Sequence, residues 1–311
     1  MVQQRYFGIG EEADFKAAVA ATKFIDTTAE QLVPYRQYIA QAGVGSQSLK
    51  RRKGGREGAR GNISFSVRPN NITNLLKWLF GKVTSDQQGG TSAYKHTFDF
   101  EDLLTKSFTG RMGKETHEEI YPGMLVDSLG FGGVADDDIS ATVSLIGGAA
   151  MSKTTIGSPT FSGLDSFIFH ENTAKIGGVT STVVEAFGLV IGRNVADYRV
   201  CGSKELPRIK NTFRSVMGTM VLDFINTDEL DRFINDTTTS LEFLIVGAQI
   251  GVTGFYYTLD LKMPVIFYNA APTPSLRGRA RLQAAVTFTA MYDVGIAGEI
   301  QAYVINEETT I

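Results

Sequence analysis

The stretch Gly61-Asn-Ile-Ser-Phe-Ser-Val-Arg68 alternates polar and apolar residues, and Gly218-Thr-Met-Val-Leu-Asp-Phe-Ile225 repeats the pattern at an offset of 157 (218 − 61). Alternation of this kind predicts a β-strand with one buried face. A short polar turn and then a helical spacing of apolar residues follow each stretch. These residues are Ile72, Leu75, Leu76 and Leu79 in the first copy and Leu230, Phe233 and Ile234 in the second. The same succession at one offset indicates a duplicated unit.

The composition favours a mainly β fold. The chain of 311 residues contains 33 Gly, 20 Phe and 11 Tyr, and alternating segments recur every ten or so residues. We predict strands over 37–43, 62–68, 94–100, 107–112, 124–130, 139–146, 166–170, 182–191, 219–225, 240–246, 255–262, 281–292 and 299–305. Helices are predicted over 72–80 and 228–235. We therefore expect two tandem β-sandwich or barrel-like domains, 1–152 and 163–311, joined by a linker over 153–162, each with one short flanking α-helix.

Charge and hydropathy exclude several classes of protein. The formal net charge is −3, which gives no global attraction to nucleic acid or to anionic membranes. The one cysteine, Cys201, cannot form an intramolecular disulfide, which suits a reducing compartment. The N-terminus carries no apolar segment of signal-peptide length. The longest apolar stretch, 243–257, is interrupted by glycine and polar residues, so we expect no membrane insertion and folding in the cytoplasm.

A search for catalytic or metal-binding patterns finds none. The histidines, His96, His117 and His170, are far apart and form no ligand spacing, so we expect no metal. Cys201 has no recognisable base partner, and we expect it to be a small buried residue. Glu118 and Glu119 are adjacent, so on a strand they would point to opposite faces. The sequence therefore predicts no catalytic residues, no cofactor and no enzymatic activity.

The stretch Gly130-Phe-Gly-Gly-Val-Ala135 fits the spacing of a dinucleotide-binding loop, but its context argues against that site. A helix would have to follow it, whereas Asp136, Asp137 and Asp138 and then an alternating segment come next. Three carboxylates would repel phosphate. We expect a hairpin loop here.

The segment 50–60 concentrates positive charge, with six basic residues and one acidic residue among interleaved glycines. It could be a solvated flexible loop, a docking element for a neighbouring subunit, or a contact for nucleic acid phosphates. The acidic run 136–138 would suit a neighbour's basic segment. The subunit-interface candidates are Lys50, Arg51, Arg52, Lys53, Arg56, Asp136, Asp137 and Asp138.

Several segments resemble the bacteriophage major tail tube proteins of long non-contractile tails. The opening 6–12 is similar to the N-terminal Gly-x-Gly-x-Glu of that family. Segments 200–209 and 215–224, with the helix 230–234, resemble its central loop, Gly-led strand and lone helix. The last segments, 283–293 and then 300–306, are similar to the final β-hairpin of that family. The resemblance extends over most of the chain as a pattern.

The resemblance implies a structural function. Six units form a ring, and rings stack into a tube that conducts double-stranded DNA, so a chain with two units would form trimers with pseudo-sixfold symmetry. The implied partners are other copies of the chain, a tape measure protein, and the tail terminator and distal tail proteins. The implied location is the virion tail.

A lumen that does not retain DNA must lack positive charge, since each neutralised phosphate adds affinity. The lumen-facing candidates are Ser64, Ser66, Val221 and Asp223, with Phe65 and Leu222 expected to face the core. Two other interpretations remain open at this point. One is a β-sandwich that binds or hydrolyses carbohydrate, and the other is a tube protein of a secretion system, for which the duplication is unexpected.

Overall fold

The computed structural model describes residues 5–41, 44–45, 48–274 and 281–311, and this part of the chain is mainly β, as predicted. Its helices are α1 (Thr73–Phe80) and α2 (Asp228–Ile234). Its strands are β1 (Arg5–Glu11), β2 (Lys23–Ile25), β3 (Ala29–Glu30), β4 (Val33–Gln41), β5 (Arg51–Ser66), β6 (Gly81–Gln87), β7 (Tyr94–Phe100), β8 (Phe108–Lys114), β9 (Glu118–Val134), β10 (Ser140–Gly147), β11 (Ser152–Thr154), β12 (Asn172–Ile176), β13 (Val179–Thr180), β14 (Val184–Gly192), β15 (Ser215–Asp223), β16 (Thr239–Gln249), β17 (Tyr256–Tyr268), β18 (Gln283–Ala290) and β19 (Gln301–Asn306).

In the alternating stretches 61–68 and 218–225, buried apolar residues alternate with less buried ones, as expected. In β5, Phe65 is completely buried, while Ser64 and Ser66 point away from the core. In β15, Leu222 is buried between the half-buried Val221 and Asp223. A helix follows each of these two strands, so the repeated strand–helix succession is confirmed.

The strands form two antiparallel layers that are joined at their margins. Sheet I has the order β4-β5-β10-β9-β14-β15-β18, and sheet II has the order β6-β7-β19-β17-β16-β12-β13. β1 and β2 extend the pairing through β8, which pairs with β9. One hydrophobic cluster contains side chains from both sheets. Packing between the layers therefore buries the apolar faces of both.

The two halves of the sequence are connected by strand pairing in both sheets. Residues 128–134 of β9 pair with residues 186–192 of β14 in sheet I. In sheet II, β7 pairs with β19 along residues 94–98. The first two residues of the expected linker, 153 and 154, belong to β11, which pairs with the start of β9. Each sheet thus continues from one half of the chain into the other.

Two local predictions were wrong. Residues 166–170 do not form a strand: Ile168 makes an isolated bridge to Asp138, and a 3-10 turn covers Phe169–Glu171. Residues 130–134 are not a hairpin loop, because β9 continues to Val134 and only the short turn that follows reverses the chain. Of the alternatives for the basic segment, a loop does not agree with the structure, since β5 begins at Arg51 and pairs with β4.

Sheet II holds a partly enclosed carboxyl group. The Oδ1 atom of Asp260, on β17, has no hydrogen-bond partner in the described part of the chain. Burial, and after it the nearby Glu242 carboxylate, raises the pKa of Asp260 to about 6, against three lysines that lower it. These lysines are Lys262, Lys175 and Lys95. The ionised form of Asp260 is therefore disfavoured in the folded protein.

Replacing Asp260 with asparagine should stabilise the fold by about 2 kcal/mol at pH 7. The folded-state pKa lies above the ordinary value of 3.8, so the folded protein carries the penalty of a charged Asp260 only above about pH 6. As the pH falls from 6 to 4, the wild type takes up the proton and its disadvantage disappears. Urea denaturation at pH 7 and pH 4 measures the difference. Asp86→Asn, at an exposed position of β6, should change neither value. Equal effects of Asp260→Asn at both pH values would contradict this account.

Candidate assembly surfaces

The central part of the face of sheet I that points away from the core carries uncharged and mostly small residues. The strand registers align Ser64, Thr142, Gly130, Val190 and Met217 in one row across five strands. The next row contains Ser66, Ser140, Gly132, Gly188, Thr219 and Thr287. Neither row includes a charged residue. We call this surface the neutral face. It offers no cation to a phosphate and few long side chains to anything that moves past it.

The four lumen-facing candidates all lie on this side of sheet I. The Ser64 and Thr142 hydroxyls form a hydrogen bond of 2.9 Å. Val221 lies farther along β15, opposite Ala285 of β18. Asp223 ends the strand and accepts a hydrogen bond of 3.0 Å from Arg281 Nε. Three of the candidates are thus neutral, and the charge of the fourth is paired.

One end of the neutral face is acidic. Asp136, Asp137 and Asp138 occupy the turn between β9 and β10, and the first two are exposed. Glu185, on β14, lies beside this turn, because its carbonyl oxygen accepts a hydrogen bond of 3.2 Å from the Ala135 amide. The Glu185 and Asp223 carboxylates share one cation, Arg281. We call these five carboxylates (Asp136, Asp137, Asp138, Glu185 and Asp223) the acidic end.

The interface candidates of segment 50–56 lie on a two-stranded ribbon. This basic ribbon, formed by β4 and residues 51–58 of β5, is exposed along most of its length. Arg52 lies over the Tyr38 ring at 4.7 Å. Lys50, Arg51, Arg52 and Lys53 form no ion pair among the described residues. The positive charge at this end of the ribbon is therefore uncompensated within the described chain.

A loop of the second half holds the base of the ribbon. The Asp197 carboxylate, 7% exposed, lies 3.6 Å from Arg56 and 2.5 Å from both Arg60 and Arg199. Arg199 also donates to the Tyr35 hydroxyl oxygen at 2.6 Å. Arg56, an interface candidate, is thus partly neutralised here. Asp197 was not predicted as a partner of the ribbon, because nothing in its local sequence connects it to Arg56 and Arg60, which lie 141 and 137 positions earlier.

The basic and acidic groups lie at opposite ends of the same strands. β5 begins at Arg51, and its last residue, Ser66, pairs with Ser140 directly after the acidic turn. Fifteen steps of an extended strand span about 50 Å. One chain therefore cannot bring its own ribbon tip to its own acidic end.

The buried side chains of His96 and Tyr6 have structural partners. Burial lowers the pKa of His96, whose ring nitrogens bond Ser85 Oγ at 2.8 Å and Asn306 Oδ1 at 3.0 Å. Glu118 accepts a hydrogen bond of 2.5 Å from the Tyr6 hydroxyl, and burial, followed by this bond, raises the pKa of Tyr6 to about 12. Cys201 is exposed, so the prediction of a buried thiol was wrong.

The described residues contain no group of three or more side chains suited to hold a metal ion. Within the same residues, neither α-helix has the length and apolarity needed to cross a bilayer.

Comparison with known proteins identifies the family. No curated protein sequence matches the chain. The sequence profile of a family described as phage tail tube protein matches residues 3–290, nearly the whole chain. This range includes the neutral face, the basic ribbon and the acidic end. The chain therefore belongs to the phage tail tube protein family.

Proposed function

We propose that this protein polymerises as stacked rings whose lumen conducts double-stranded DNA, with three chains and six similar units in each ring. The neutral face carries this proposal. A wall that meets DNA during passage must neither bind phosphate nor present long flexible side chains. The rows through Ser64 and Ser66 carry no charge and, apart from Met217, no long side chain.

The continuity of sheet I supports a ring of joined units. Within one chain, β9 of the first half pairs with β14 of the second half. A head-to-tail joint of this kind forms a closed ring when its rotation allows, whereas contacts between rings extend into a filament. The same pairing between chains would remove the exposed edges of the sheet.

The charges at the two ends of sheet I support axial stacking. We propose that the tip of the basic ribbon of one ring contacts the acidic end of the next. Lys50, Arg51, Arg52, Lys53 and Arg56 would then face carboxylates such as Asp136, Asp137 and Asp138. The stacking contact would weaken with salt, since exposed charges are screened.

A tail tube role also implies a place of assembly and a set of partners. Assembly would take place in the host cytoplasm, and the tube would contact a tape measure protein along its lumen and terminator and distal tail proteins at its ends. We propose no catalytic step and no cofactor, since a conduit requires neither.

Electron microscopy of the purified full chain tests the assembly. Hollow rods or rings built from three copies are expected, and a chain that stays monomeric at high concentration would contradict the proposal. Native mass spectrometry of isolated rings gives the number of copies directly.

Thr219→Lys tests the lumen assignment. Rods of this variant should retain a short DNA duplex at least about tenfold more strongly than wild-type rods at 50 mM salt, and lose it at 200 mM. The retained DNA should resist nuclease because the rod encloses it. Thr84→Lys, at an exposed position of β6 in sheet II, is the matched control. DNA held by Thr84→Lys rods should be digested, and digestion of DNA on Thr219→Lys rods would place the neutral face on the outside.

A further inference from the structure

The two helices occupy equivalent places in the repeat, yet they differ in burial. Leu75 and Leu76 of α1 are completely buried. The matching apolar positions of α2 follow at 158 residues, one more than the offset between the strands, and these residues, Phe233 and Ile234, are 36% and 66% exposed. The neighbouring Ile225 is 67% exposed. Part of the apolar surface that α1 buries is therefore open on α2.

The cover over α1 comes in part from the other half of the chain. Thr73 donates a hydrogen bond of 3.0 Å to Glu308 Oε2. Lys77 Nζ donates one of 2.7 Å to the carbonyl oxygen of Ile311. Glu308 and Ile311 follow β19, at the end of the second half. Residues of the other half thus bond two polar side chains of α1, while the helix packs on β6, β7 and β9 of its own half.

The strand beside α2 has an open edge. β18 pairs with β15 through residues 283–289, but on its other side only residues 288–290 pair with β17 in the described part of the chain. β18 lies beside β15 as β10 lies beside β5, and beyond β10 the sheet continues into β9, the strand that joins the two halves in sheet I. Leu230 of α2 and Ala284 of β18 line one groove, so both features lie on the same side of the molecule.

We infer that the apolar side of α2 and the outer edge of β18 form the lateral contact with a second copy of this chain. The inference rests on the proposed self-assembly and specifies its surface. The first unit finds its neighbour within the same chain, whereas the second unit's neighbour in a closed ring belongs to the next chain. Ile225, Phe233 and Ile234 would then be buried by that chain, as Leu75 and Leu76 are buried here.

Ile234→Asp in the full chain tests this contact. Because Ile234 is largely exposed in the single chain, the variant should unfold at the same urea concentration as the wild type under conditions that prevent assembly. The protein concentration needed for ring formation should rise at least about tenfold, since burial of a carboxylate replaces burial of an aliphatic side chain. Val252→Asp, on the exposed turn between β16 and β17, is the control and should leave ring formation unchanged.

The outcomes separate this inference from the proposed function. Wild-type rings together with normal ring formation by Ile234→Asp would overturn the lateral contact alone. Failure of the wild type to assemble under any condition would overturn both. A photoreactive amino acid incorporated in place of Ile234 should cross-link to another copy. Cross-links confined to the same chain, including to residues 275–280, would overturn the inference.

Discussion

Replacing Glu12 with alanine should destabilise the fold by about 3–5 kcal/mol, because this carboxylate is 1% exposed and accepts four hydrogen bonds. The hydroxyls of Ser107 and Thr109 donate to it at 2.5 and 2.7 Å, and the amides of Gly123 and Lys16 at 2.8 and 2.9 Å. Alanine would leave these donors without an acceptor in the interior. The contacts also connect the segment after β1 to β8 and β9, so their loss should loosen the N-terminal region first.

Urea denaturation of the unassembled chain measures this effect. Glu12→Gln should lower the free energy of unfolding less than Glu12→Ala does, since the amide oxygen still accepts some of the hydrogen bonds. Glu115→Ala is the control, because its ion pair with Arg5 at 2.6 Å is exposed and should contribute less than about 1 kcal/mol. A Glu12→Ala variant within 1 kcal/mol of the wild type would show that the donors find other partners.

The N-terminal motif Gly8-x-Gly10-x-Glu12 was recognised from sequence by resemblance, and the structure supplies its physical reason. A Cβ atom on Gly10 would lie 2.2 Å from the Ala20 carbonyl oxygen, and one on Gly8 would lie 2.8 Å from the Ala21 Cβ. The two glycines therefore allow the chain at 20–21 to pass close to β1. Three of the four partners of Glu12 are 95 to 111 positions later in sequence, and no local pattern could have predicted them.

Strand prediction succeeded where only one face of a strand is buried. The period of two in β7, β15 and β19 comes from such burial, and their predicted positions agree with the structure to within a few residues. β1 was missed because Tyr6, Phe7 and Ile9 are all buried, so its sequence does not alternate. The part of β5 before Gly58 was missed for the opposite reason, since most of it is exposed and polar.

Only part of the candidate site could be predicted. Alternation alone placed Ser64 and Ser66 away from the core. The extent of the neutral face depends on cross-strand registers that bring Thr142 and Val190 beside them, and these registers are set by tertiary pairing. The charge of the basic segment was evident from sequence. The support of the ribbon by Asp197 was not, because it comes from the other half of the chain.

The stacking contact between rings can be tested by reversing charge at the ribbon tip. Arg51 and Arg52 have no carboxylate partner among the described residues, and the acidic end lies about 50 Å away along the strand. These charges should therefore contribute little to the stability of a single chain. Between stacked rings, each arginine would lie near a carboxylate of the next ring. With three chains in a ring, every such ion pair would occur three times in one contact between rings.

The double variant Arg51→Glu/Arg52→Glu should form rings but no rods at low salt, where opposed carboxylates repel most strongly. Combining it with Asp136→Lys/Asp137→Lys in the same chain should restore rods, because the exchanged charges again face opposite partners in the next ring. Asp136→Lys/Asp137→Lys alone should fail in the same way as the first variant. Rod length in electron micrographs, measured across a salt series, distinguishes these cases. If Arg51→Glu/Arg52→Glu forms rods of unchanged length and unchanged salt dependence, the ribbon is excluded from the axial contact. At low ionic strength screening is weak, so repulsion between facing carboxylates would shorten the rods.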